Sequence, residues 1–166
     1  MTKNTIKKNL IYLWYILITA AVVILDHVTK WLAVESIRGK PDVVLINGVF
    51  RLTYCENTGM AFSLFSENTL VLAIITLIAL LALAAYTLSL KQKKLNIQTI
   101  GMMFILGGGI GNLVDRFFSG YVVDFFDFYL INFAVFNVAD TFVTVGAGLF
   151  ILSLITQIIN EKNKEA

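Results

Sequence analysis

Long apolar runs alternate with short polar ones along this chain. Residues 10–25, 70–90, 97–114 and 141–159 each approach or reach the roughly 20 residues that cross a hydrocarbon core. The first is broken only by Thr19 and extends past Asp26 and His27 toward Trp31. Each run predicts a membrane-spanning helix. After the first span the period changes. Pro41-Asp42 reads as a turn. Val43–Ile46 and residues 49–54 are β-rich, and Phe50, Leu52 and Tyr54 alternate with Val49, Arg51 and Thr53, as in a half-buried strand. Asn47-Gly48 between them predicts a hairpin with positive φ at both turn residues. The β-rich segment covers about residues 42–66. Between the last two spans Phe117, Phe118, Tyr121, Phe125, Phe126, Phe128, Tyr129, Phe133 and Phe136 are too dense for a solvated loop. They predict a packed subdomain at the membrane interface, where aromatic rings concentrate.

Composition agrees. The chain is 58% hydrophobic and 14% charged, against about 45–50% and about 25% in soluble domains. The prediction is an all-α membrane protein, one integral domain over residues 1–166. Its spans fall at about 10–31, 70–90, 97–116 and 140–159. A single cysteine, Cys55, excludes an intrachain disulfide and a multi-cysteine metal site. The single histidine, His27, argues against His-based zinc or nucleophile chemistry. No basic patch interleaved with aromatics suggests a nucleic-acid partner.

Charge supplies orientation. Lys3, Lys7 and Lys8 precede the first span; Lys91, Lys93 and Lys94 join the second to the third; Lys162 and Lys164 follow the fourth. Lysines before an apolar run also suit a signal peptide, but no small-residue cleavage site follows. The positive-inside rule makes this side, with both termini, cytoplasmic. All the acids except Glu161 and Glu165 lie in or near the outward segments, about 35–68 and 115–140. The sheet and the chemistry are therefore expected outside.

Charges at membrane depth mark functional sites. Asp26 and Lys30, i and i+4 in D-x-x-T-K, share a helix face. They read as an interfacial ion pair ending the span, or with Asp26 turned inward onto neighbouring backbone. Asn57 and Gly59 could form a simple turn. Gly107 and Gly111 form a small-xxx-small pattern for close helix packing. Asn112 and Arg116 project together, with Asp115 adjacent; Arg116 suits a pair with Asp115, a lipid phosphate or a peptide carbonyl. Asp124 has apolar neighbours on both sides. Asp140 stands where the fourth helix begins and could be its N-cap. Two carboxylates meeting in a partly dry site share a proton. One can then activate water while the other protonates a leaving amine. Two rival readings remain on these residues: a lipid-modifying transferase holding Mg²⁺ on Asp124 and Asp127, and a transporter or scaffold that uses the charges as anchors.

Five motifs stand in order: D-x-x-T-K at residues 26–30, N-x-G-x-A-F at 57–62, G-N-x-x-D-R at 111–116, V-V-D-F at 122–125 and F-N-x-A-D at 136–140. Together they resemble the lipoprotein signal peptidases, the signal peptidase II family, over nearly the whole chain. Met60 departs from that pattern, which usually has Ala. The resemblance implies four transmembrane helices, a small extracytoplasmic β-cradle and an outer loop or helix. It also implies a bacterial cytoplasmic-membrane aspartyl endopeptidase acting at the outer membrane edge. Its substrate would be a prolipoprotein, cut just before a cysteine carrying diacylglycerol. Asp124 and Asp140 match the catalytic pair. Asn57, Gly59, Asn112, Arg116, Asn137 and Ala139 match substrate-site positions, and Asp26 and Asp115, with Lys30, match supporting ones. No cofactor or metal is implied; the expected partners are the substrate and membrane lipids, and nothing requires more than a monomer.

Overall fold

The computed structural model describes residues 3–59, 68–90 and 94–165, with side chains from Leu10 to Lys164. Met60, the remainder of its motif and Lys91 and Lys93 lie outside the described residues. Four long helices dominate: α1 (Lys3–Ile37), α2 (Thr69–Ser89), α3 (Ile97–Phe118) and α4 (Val138–Glu165). All four are long and apolar enough to cross a membrane. Their outward faces carry Leu17, Ile24, Ile78, Leu81 and Ile155, each about half exposed or more, as lipid-facing positions should be.

α3 is the central helix, with far more of its surface inside the bundle than the others. Its glycines explain why. A Cβ on Gly107 would stand 2.6 Å from the Val22 Cβ of α1, and one on Gly108 would strike the Ala139 carbonyl of α4. The small-residue face thus lets two backbones approach α3 at once. Asn96 starts the helix with a capping box: its side chain accepts from the Thr99 amide at 2.8 Å, and its own amide donates to Thr99 Oγ1 at 3.1 Å. Met102, Met103, Leu106 and Leu113 carry the apolar core against Tyr15, Ala73 and Leu80.

α1 does not stop at the Asp26–Lys30 pair but runs on to Ile37. The reason is that both charges are buried and paired, so no span end is needed there. The added turns pack Ala33 and Ile37 against Val123 and Phe125 of a three-stranded antiparallel sheet. The predicted hairpin supplies β1 (Val43–Ile46) and β2 (Phe50–Asn57). Its turn differs from expectation: Gly48 has φ 75°, whereas Asn47 is not in the positive region. The Ile46 carbonyl accepts from the Val49 amide at 3.0 Å, so the φ pattern is that of a type II turn. Pairing resumes only at Ile46–Phe50, after an irregularity between Val44 and Ile46.

The third strand, β3 (Val122–Asp127), comes from the aromatic segment and pairs with β2, setting Cys55 opposite Asp124. An irregularity between Leu52 and Cys55 inserts one extra residue in β2; such bulges re-aim side chains beside sites. A 3₁₀ turn at Tyr129–Ile131 follows. Chain connectivity places the sheet, the end of α3 and the start of α4 at one end of the bundle.

Candidate active site

Three asparagines tie the two central carboxylates into one network. Asp124, only 2% exposed on β3, accepts from Asn57 Nδ2 at 2.8 Å and from Asn137 Nδ2 at 2.7 Å, one on each oxygen. Asp140, half-buried in the first turn of α4, accepts from Asn112 Nδ2 at 2.8 Å and from the Asn137 amide at 3.1 Å. Asn137 Nδ2 also reaches Asn112 Oδ1 at 3.1 Å.

Each amide is oriented by its neighbours, not by choice of rotamer alone. Asn57 Oδ1 accepts from the Gly59 amide at 2.9 Å. Asn137 Oδ1 accepts from the Asp140 amide at 2.9 Å. Asn112 Oδ1 accepts from Lys30 Nζ at 2.8 Å. An amide has one acceptor and one donor end, so fixing each oxygen turns each NH₂ toward a carboxylate.

The cap of α4 is Asn137, not Asp140. Asp140 is the third helical residue and reaches back to the Asn137 amide, a reciprocal capping box. One Asp140 oxygen therefore anchors the helix start while the other meets Asn112. Asp26 is fully buried: Oδ1 accepts from the Ala139 amide at 2.9 Å, and Oδ2 pairs with Lys30 at 2.7 Å. The expected ion pair is formed, but it is buried and does not end the helix, and Asp26 also holds neighbouring backbone, as the inward reading has it. Gly111 makes the approach possible, since a Cβ there would lie 2.5 Å from Asp26 Oδ2.

Asp115 and Arg116 do not pair with each other, because consecutive helical residues diverge. Asp115 binds Lys30 at 2.7 Å, with His27 Nε2 at 3.7 Å. Arg116 donates to the Gly59 carbonyl at 3.0 Å, holding the chain that carries Asn57. Asp124 and Asp127, three apart on a strand, face opposite sides. Asp127 binds Arg51 at 2.6 Å. The D-x-x-D metal reading thus loses its convergence.

Burial pushes the Asp124 carboxyl up to about 7, and the neighbouring Asp140 charge adds to the rise; the Asn57 and Asn137 hydrogen bonds oppose it. A cavity of about 460 Å³ opens beside the pair, lined by Asn57, Asn112, Arg116, Asp124 and Asp140 together with Val122, Val143, Thr144 and residues 133–136. Polar groups able to hold water and a peptide thus meet an apolar wall able to hold a lipid or an apolar side chain. Val122 falls in the V-V-D-F motif, whereas Val143 and Thr144 lie outside every motif of the sequence. For Thr144 a signal existed: with Asn137, Asp140 and Thr141 it falls at helical spacing on an otherwise apolar run.

The chain is similar to known proteins over most of its length. The model of the family described as Signal peptidase (SPase) II matches residues 18–156. The lipoprotein signal peptidase of Brevibacillus brevis is 37% identical over 142 residues, covering 86% of this chain and 95% of that protein. That of Caldanaerobacter subterraneus is 45% identical over 132 residues, covering 80% and 89%. A solved structure described as a bacterial membrane enzyme at 2.3 Å resolution has a TM-score of 0.78 at 31% identity, covering 88% of this chain and 90% of its own. Four apolar helices and such neighbours make this a multi-pass membrane protein. With more than four-fifths of its length matched by the family model, the chain belongs to the signal peptidase II family.

Proposed function

We propose that this protein removes the signal peptide from diacylglyceryl-modified prolipoproteins, cutting just before the lipidated cysteine. Asp124 and Asp140 assist water attack on that bond. The peptidase class comes with the family. The observation that carries the aspartyl mechanism is the single buried network holding both carboxylates beside one cavity.

Burial of Asp124 favours a pair that keeps one proton near neutral pH. The ionised member takes a proton from water as its oxygen bonds to the scissile carbonyl carbon. The protonated member gives its proton to the carbonyl oxygen. As the tetrahedral intermediate collapses, the C–N bond breaks and a proton passes to the leaving cysteine amine. The pair titrates as a unit, so acid and base are properties of the pair. Asn57, Asn112 and Asn137 orient the carboxylates; Arg116 holds Gly59; Ala139 links α4 to Asp26.

The lysines of the last turn of α4 lie at the opposite end from the carboxylates. That polarity supports cytoplasmic termini and a site at the outer edge of the bacterial cytoplasmic membrane. A signal helix with a lipid on one residue presents its cleavage point at that depth.

The test is purified protein with a diacylglyceryl-modified prolipoprotein, chelator present, and the new N-terminus read by mass spectrometry. A lipidated cysteine at the new N-terminus supports the proposal. Cleavage elsewhere, or only when Mg²⁺ is added, overturns it.

A further inference from the structure

Outside the carboxylate pair, the most fully committed charge in the bundle is Lys30. It lies one turn beyond Asp26 on α1 and is 4% exposed. An ammonium has three N–H donors. Here Nζ donates to Asp26 Oδ2 at 2.7 Å and to Asn112 Oδ1 at 2.8 Å, and forms an ion pair with Asp115 Oδ2 at 2.7 Å. Two carboxylates would suffice to neutralise a structural lysine. The third contact goes to an uncharged amide, the one whose NH₂ donates to Asp140. Reversing that amide would aim its NH₂ at both the ammonium and the Asn137 donor.

Resting on the aspartyl reading above, we infer that Lys30 is a positioning residue for the reaction: it locks Asn112 in the orientation that donates to Asp140, and its charge favours the ionised form of one aspartate. The charged groups around it come from every packed element. Asp26 and the partly exposed His27 lie on α1, Asp115 and Arg116 on α3, Asp124 on β3 and Asp140 on α4. Arg116 is a second cation whose charge acts on Asp124 and Asp140, but its guanidinium donates to the Gly59 and Asn112 backbone carbonyls, so it does not orient the Asn112 side chain. What sets Lys30 apart from Arg116 is the link through the Asn112 side chain to Asp140.

The test is the pH profile of kcat/KM on lipidated prolipoprotein. In Lys30→Met the acidic limb moves to higher pH by about one unit, the lower end of the usual effect of a nearby opposite charge. Lys30→Arg restores the charge and returns the limb toward wild type, even with a lower kcat from imperfect fit. Lys30→Met strands two buried carboxylates. If it does not fold, the double variant Asp26→Asn, Lys30→Met carries the test and shows a smaller shift in the same direction. A limb that coincides with wild type overturns the inference, however large the loss in kcat. If Asp124→Asn still cuts, the aspartyl reading itself fails; if Asp124→Asn is dead and the limb stays put, only the role of Lys30 fails.

Discussion

Asn137→Ala removes more of the site than any other single truncation. Asn137 has no exposed surface, so water does not replace what is lost. Its oxygen caps α4 through the Asp140 amide, a contact worth about 1 kcal/mol. Its NH₂ donates to Asp124 at 2.7 Å, with Asn112 Oδ1 and the Val123 carbonyl as further acceptors. A hydrogen bond to a charged group is worth about 1.5–3 kcal/mol. The alanine variant is therefore expected to lose about 3 kcal/mol of stability. Asn137→Ser keeps a capping oxygen but no NH₂ and is expected to lose about 2 kcal/mol. Asn137→Asp keeps the cap oxygen but sets a third carboxylate against Asp124, so its activity falls further than its stability. Denaturant unfolding in detergent micelles, followed by the fluorescence of Trp14 and Trp31, reads all three. A loss below about 0.5 kcal/mol for Asn137→Ala, the scale of an ordinary surface change, would refute the network as drawn.

Three further outcomes follow from the geometry. Asp124 titrates near 7 in the folded protein, so between about pH 4 and 7 the folded state holds a proton that the unfolded chain has released. Stability then falls as pH rises through that window, by on the order of 4 kcal/mol, and Asp124→Asn reduces the slope in pH-dependent unfolding. Gly111→Ala drives a methyl group against Asp26 Oδ2 and is expected to cost about 1–3 kcal/mol, measured the same way. Asp127→Asn retains cleavage in the prolipoprotein assay, because Asp127 faces Arg51 on the other side of the strand; abolished cleavage would revive the Asp124–Asp127 metal reading.

Much of the architecture is legible in short windows. Runs of about span length, lysines on alternate connections and the Asn-Gly pair are local signals, and the four helices and the hairpin follow from them. Non-local pairing is not local in this sense. Nothing within residues 122–127 says that the strand will lie against β2, yet that pairing brings Asp124 to Asn57. The motif resemblance grouped Asn57, Asn112 and Asn137, but their donor and acceptor ends emerge only when the neighbours of each oxygen are known. Charge partners stay open in the sequence for the same reason, and of the three offered to Arg116 the structure selects a peptide carbonyl. Asp115 and Arg116 are adjacent in sequence and diverge in the helix, whereas Lys30 finds Asp115 across two helices. Residue type places the turn at Asn47-Gly48, but the φ pattern there, positive at Gly48 alone, differs from the one residue type predicts.

The central claim is that Asp124 and Asp140 together perform the hydrolysis. Its most direct test is metal-free cleavage of lipidated prolipoprotein by Asp124→Asn and Asp140→Asn beside wild type, with folding of each checked by its unfolding transition. Asn preserves shape and removes the titratable proton. Wild-type cleavage with two folded, inactive variants is the predicted result. Cleavage surviving either substitution would contradict a paired-aspartate mechanism and leave that residue as a part of the fold.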